Sequence, residues 1–171
     1  AGQQSGQDPD QGEQGGLPET GHPRQLDQRS QDRGRAGKDE GLAHSQGGLF
    51  TVNAALAHPE NVKAVVLIES SSTIDVEKTD VSAFKDIPFL FVWGDFLGEE
   101  YCMPEYRWIG DFAYQGTMRK LHERIVELGG DSTWIHLPEM GIRGNTHAMM
   151  QEDNSRQIAD LVCDWLKSHV K

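Results

Sequence analysis

From Ala1 to Glu40 this sequence has no Ile, Val, Phe, Trp, Tyr, Met or Cys, and its only sizeable apolar side chains there are Leu17 and Leu26. So little apolar surface cannot offset the entropy of ordering a chain. Gln, Gly, Asp and Arg fill the stretch without any repeat, so residues 1–41 are expected to be a disordered, low-complexity leader dispensable to the fold of residues 42–171. Cysteine is scarce too. Cys102 and Cys163 are too few for a disulfide framework and stand in no Cys-x-x-Cys spacing, so no metal site is expected and the compartment stays open. No apolar run approaches the roughly 20 residues that span a bilayer, and the N-terminus has neither the basic nor the apolar region of a signal peptide. Positive charge is in deficit: 16 Lys and Arg face 27 Asp and Glu, a net −11. That balance repels phosphate backbones and anionic lipid and leaves no basic stripe for nucleic acid. The sequence opens on Ala1 rather than Met, which points to a processed, trimmed or partial chain.

What is present begins at Leu42, and 171 residues allow one ordinary core. Gly47 to His58 reads as a helix stopped by Pro59. "KAVVLIE" (Lys63 to Glu69) and "IPFLFVWGD" (Ile87 to Asp95) are near-continuous apolar runs, the mark of parallel strands buried on both faces. A helix from about Phe112 to Leu128 is closed by Gly129 and Gly130, and "STWIHLP" supplies a third strand. The last helix, from about Asn154 to His169, sets Ile158, Leu161, Val162, Trp165 and Leu166 on one face. Alternating helices and strands predict an α/β fold of three-layer αβα type.

The chemistry-bearing residues start with Ala43-His44-Ser45-Gln46-Gly47-Gly48, placed where a helix begins. By itself the pattern also fits a helix N-cap serine before a glycine-rich turn. It resembles the nucleophile elbow, G-x-S-x-G, of the α/β-hydrolases, with Ala43 in place of the first glycine. Those enzymes order their triad as Ser, then Asp or Glu, then His, each at a strand's C-terminal end. Two acids qualify, Glu69 and Asp95, and the commonest hydrolase layout would take Asp95. The passages "AHSQGGLFTVNAALAHPENVKAVVLIE", "IPFLFVWGD" and "GNTHAMMQEDNSRQIADLVCDWL" together resemble a smaller group of bacterial serine esterases. In that group the triad acid is a glutamate following the strand after the elbow. The resemblance, over residues 43–171, selects Glu69 and leaves Asp95 as the alternative acid. It also places the catalytic histidine at His147, in the loop between the last strand and the last helix, and an oxyanion donor at the backbone of Gln46. Met149 and Met150 could line an acyl pocket or fill the core.

The resemblance implies a carboxylic-ester hydrolase working through an acyl-enzyme on a small-molecule ester, with no metal or organic cofactor. It also implies that the chain holds the C-terminal half of an α/β-hydrolase sheet. No apolar strand leads into Ser45, because "RAGKDEGLA" does not read as one, and the second oxyanion donor has no counterpart. With three strands, "KAVVLIE" is expected to be left with an unpaired apolar edge open to self-association. Weak turnover is expected accordingly. The alternatives are an inactive hydrolase fragment or interaction module, or another α/β-hydrolase activity such as a peptidase or acyltransferase.

Overall fold

The structure, a computed structural model, describes residues 2, 38–97, 104–107 and 110–170. Residues 1 and 3–37 of the expected leader lie outside it, as does most of the aromatic-rich stretch that follows Asp95. A four-stranded parallel sheet in the order β1-β2-β3-β4 organises the remainder: β1 (Asp39–His44), β2 (Val62–Ile68), β3 (Phe89–Trp93) and β4 (Ser132–His136). The helices are α1 (Gly47–Ala57), α2 (Arg119–Glu127) and α3 (Ser155–His169).

The apolar runs are explained by burial on both faces. In β2, Val65 and Leu67 enter one core with Phe89, Phe91 and Trp93 of β3, covered by α1 and α2. Ala64, Val66 and Ile68 enter the other with Leu90 and Val92, covered by Ile158, Val162 and Trp165 of α3. The indole of Trp165 also donates to Thr133 Oγ1 at 2.8 Å, fixing α3 against β4. Met149 is fully buried in this second core, so it is core filling rather than an acyl-pocket wall.

Several sequence expectations are corrected. A strand does lead into Ser45: residues 39–44 pair in parallel with β2, from Glu40 opposite Ala64 to His44 opposite Ile68. Its sequence hides it because an edge strand needs no continuous apolar run. Only Ala43 is buried, and the ladder to β2 outweighs the poor strand propensity of Asp and Gly. The strands therefore number four rather than three among the described residues, and residues 39–41 belong to the sheet rather than the leader. Finally, "KAVVLIE" is an interior strand. Among the described residues the open edges are those of β1 and β4, and that of β1 is flanked by two exposed apolar side chains, Leu42 at 61% and Phe50 of α1 at 72% accessibility. The helix expected from Phe112 is also interrupted. It starts as an irregular helical stretch, Gly110–Met118, breaks at Gly116 (φ −88°, ψ −105°) and becomes regular only in α2. Its end follows expectation, with Gly129 at φ 79° and the N–H of Gly130 donating to Ile125 O.

Candidate active site

Parallel strands deliver their C-terminal ends to one rim of the sheet, and in open α/β sheets ligands sit there. Ser45 follows β1, Glu69 follows β2 and Asp95 lies two residues past β3, so all three acid and nucleophile candidates share that rim. A cavity of about 510 Å³ lies at the opposite rim, lined among others by Lys63, Pro88 and Asp131, where β2 to β4 begin. None of the site candidates touches it.

Ser45 has φ 55° and Glu69 φ 46°, and they are the only non-glycine residues with positive φ among the described residues. A left-handed backbone at a residue with a Cβ costs on the order of 1–2 kcal/mol and persists only where its surroundings over-determine it. They do so here. The Ser45 N–H donates to Ile68 O at 3.2 Å, and the Ser45 carbonyl accepts from Ser71 at 3.1 Å and from Gly48 at 3.1 Å. Gly48 must be glycine, since a Cβ there would meet Ser70 Cβ at 2.6 Å and Ser71 O at 2.8 Å. Gln46 is the N-cap of α1, where a helix leaves its first N–H groups without internal partners and lends its positive end to an anion.

Glu69 is buried, with a side chain 1% exposed, and its two oxygens are used differently. Oε1 accepts the Gly94 N–H, while Oε2 lies 3.4 Å from Nδ1 of His147. The His147 side chain is half exposed. The His44 ring sits 4.5 Å from the His147 ring, and Nε2 of His44 donates to the His147 carbonyl at 2.6 Å. The structure thus brings His147 to Glu69. No hydrogen bond joins the Ser45 hydroxyl to His147; such bonds commonly tighten only once substrate is bound. Asp95 is turned to another task. Its Oδ2 accepts the Asn145 N–H at 2.7 Å, its own N–H donates to Asn145 O at 3.0 Å, and Arg143 lies 3.9 Å from Oδ1.

Sequence reasoning missed three participants: His44 as a partner of the histidine loop, Asn145, and Gly94. Only the last had a signal. A glycine inside an apolar strand run marks close backbone approach, and a Cβ on Gly94 would meet Asn145 O at 2.5 Å and Glu69 Oε1 at 3.1 Å.

No family model matches the chain, and neither does any of the curated proteins compared with it. Solved structures do match. One is a bacterial esterase determined at atomic resolution, 30% identical, with a TM-score of 0.67 over 78% of this chain and 39% of that one. Another is a thermostable esterase, 16% identical, with a TM-score of 0.50 over 85% of this chain and 35% of that one, a likeness of fold alone. The chain therefore spans well under half the length of either. A parallel sheet between helices, with a left-handed serine at the end of a strand and a likeness to these structures, makes the chain an α/β protein that resembles α/β-hydrolase esterases over part of their length.

Proposed function

We propose that the chain carries the acyl-transfer machinery of a serine hydrolase acting on carboxylic esters, with Ser45 as nucleophile, His147 as general base and acid, and Glu69 as the orienting acid. The observation that carries this reading is the pair of left-handed residues, Ser45 and Glu69, at adjacent strand ends, with His147 against the glutamate. Backbone strain of this kind collects at reacting groups. With Nδ1–H of His147 directed to Glu69, the Nε2 lone pair is left to accept a proton. The Ser45 hydroxyl adds to the ester carbonyl and gives that proton to Nε2. The tetrahedral oxyanion is held by the Gln46 N–H. Its collapse breaks the bond to the alcohol, which leaves with the proton from His147, and water then repeats the sequence to release the acid. As the imidazolium forms, its hydrogen bond to the carboxylate becomes charge-assisted and shortens. The likeness to the bacterial esterase at 30% identity supports the ester substrate class over the peptidase and acyltransferase alternatives.

The test is covalent. A fluorophosphonate reagent is expected to label the folded protein at Ser45, as read by mass spectrometry of the modified peptide, and Ser45→Ala to abolish labelling. Equal labelling of the Ser45→Ala protein, or none of the wild type, overturns the proposal.

A further inference from the structure

The acid at the commonest hydrolase position is present in this chain without facing the histidine. We infer that Asp95 is a positioning residue: it clamps the backbone of the loop that carries His147, so that the imidazole stays against Glu69. The inference rests on the proposed reading of Ser45, Glu69 and His147.

The loop needs such a clamp. Residues 142–146 have no regular secondary structure, and Gly144 sits at φ 87°, so local conformational preference does not hold His147 in place. Asn145, two residues before His147, is fully buried, yet its side-chain amide makes no hydrogen bond. Its backbone is what is held. Asp95 accepts the N–H and donates to the carbonyl of that one residue, a reciprocal pair that fixes both position and orientation. One of these bonds ends on a carboxylate at 2.7 Å, which makes it charge-assisted.

The order β1-β2-β3 gives the clamp its meaning. The loop passes over the ends of three adjacent strands and is tied on both sides of Glu69, to His44 of β1 at the His147 carbonyl and to Asp95 beyond β3 at Asn145. Glu69, at the end of the middle strand, meets the imidazole between the two ties. Gly94 lets the loop come this close, because a Cβ there would overlap the Asn145 carbonyl. Release of one tie leaves the acid and base present but loosely opposed, and misplacement on the order of 1 Å lowers rates by roughly 10²-fold.

Two substitutions separate a clamp from a triad acid. Asp95→Asn keeps an oxygen that accepts the Asn145 N–H, whereas Asp95→Ala removes it. The rate of Ser45 labelling by fluorophosphonate is expected to fall by about 10²-fold in Asp95→Ala and to recover to within about tenfold of wild type in Asp95→Asn. Hydrogen exchange at the Asn145 amide is expected to follow the same order, protected in wild type and Asp95→Asn and unprotected in Asp95→Ala. An Asp95→Asn protein that stays folded with Asn145 protected but labels as slowly as Asp95→Ala overturns the clamp, because the charge itself is then required. Unchanged labelling in Asp95→Ala overturns it as well. If Asp95→Ala does not fold, the labelling rate of Asp95→Asn decides alone. Absence of wild-type labelling instead strikes the proposed function, while the exchange of Asn145 still reports whether the clamp exists.

Discussion

Glu69→Gln is expected to lower the acylation rate at Ser45 by about 10⁴-fold, some 5–6 kcal/mol of transition-state stabilisation, while leaving the protein folded. The glutamine matches the shape and can still accept the Gly94 N–H through its carbonyl oxygen. What it removes is the negative charge at Oε2, 3.4 Å from Nδ1 of His147. Without that charge the imidazolium formed during attack loses its counter-ion, and an amide NH₂ turned to His147 favours the tautomer whose Nε2 carries a proton and cannot accept one. The substitution also separates the two acids of the site. Asp95→Asn, which leaves Glu69 intact, is expected to stay close to wild type. Stopped-flow measurement of acylation by a p-nitrophenyl ester, or the fluorophosphonate labelling rate, reads both. Loss of rate in Asp95→Asn with retention in Glu69→Gln would assign the acid role to Asp95.

Gly94→Ala is expected to damage stability and chemistry together. The added methyl would lie 2.5 Å from the Asn145 carbonyl, 3.2 Å from Asn145 Cβ and 3.1 Å from Glu69 Oε1, and the nearest of these is backbone. No rotamer change can relieve a backbone clash, so the histidine loop must lift from the end of β3. Overpacking of this kind typically costs about 1–3 kcal/mol. Displacement of Asn145 and Glu69 adds a loss in acylation rate on the order of 10²-fold. Urea denaturation gives the first quantity and labelling kinetics the second. An alanine variant with wild-type midpoint and rate would show that the rim does not pack as tightly as the structure has it.

The legibility of each element in the sequence depends on where it sits in the sheet. β2 and β3 were legible because strands covered on both faces must be apolar at nearly every position, as Ala64–Ile68 and Phe89–Trp93 are. β1 was not legible, because an edge strand with one buried side chain leaves no such trace. The interruption at Gly116 was equally hidden, since a glycine within a helical pattern does not by itself fix where regular geometry starts. At the site, the small residues around Ser45 pointed to a crowded turn, and the structure has a left-handed serine there. The choice between Glu69 and Asp95 came from a family resemblance and not from chemistry, for either carboxylate could orient a histidine. What separates their surroundings is a contact across 50 residues, between Asp95 and Asn145, and one across 78, between Glu69 and His147. Contacts at such separation depend on the assembled sheet and leave no local pattern.

The placement of β1 bears on how the molecule responds to heat. Among the described residues its ladder runs to β2 alone, and Ser45 is the first residue beyond it. The strained backbone of the nucleophile is therefore held by an edge strand with one buried side chain, while Glu69 hangs from an interior strand whose last five side chains are all buried. Elements with few buried contacts open in sub-global steps below the temperature of complete unfolding. Warming should thus let Ser45 relax out of its left-handed conformation while the sheet from β2 to β4 is still intact, so that reactivity is lost several degrees before the calorimetric transition and returns on cooling.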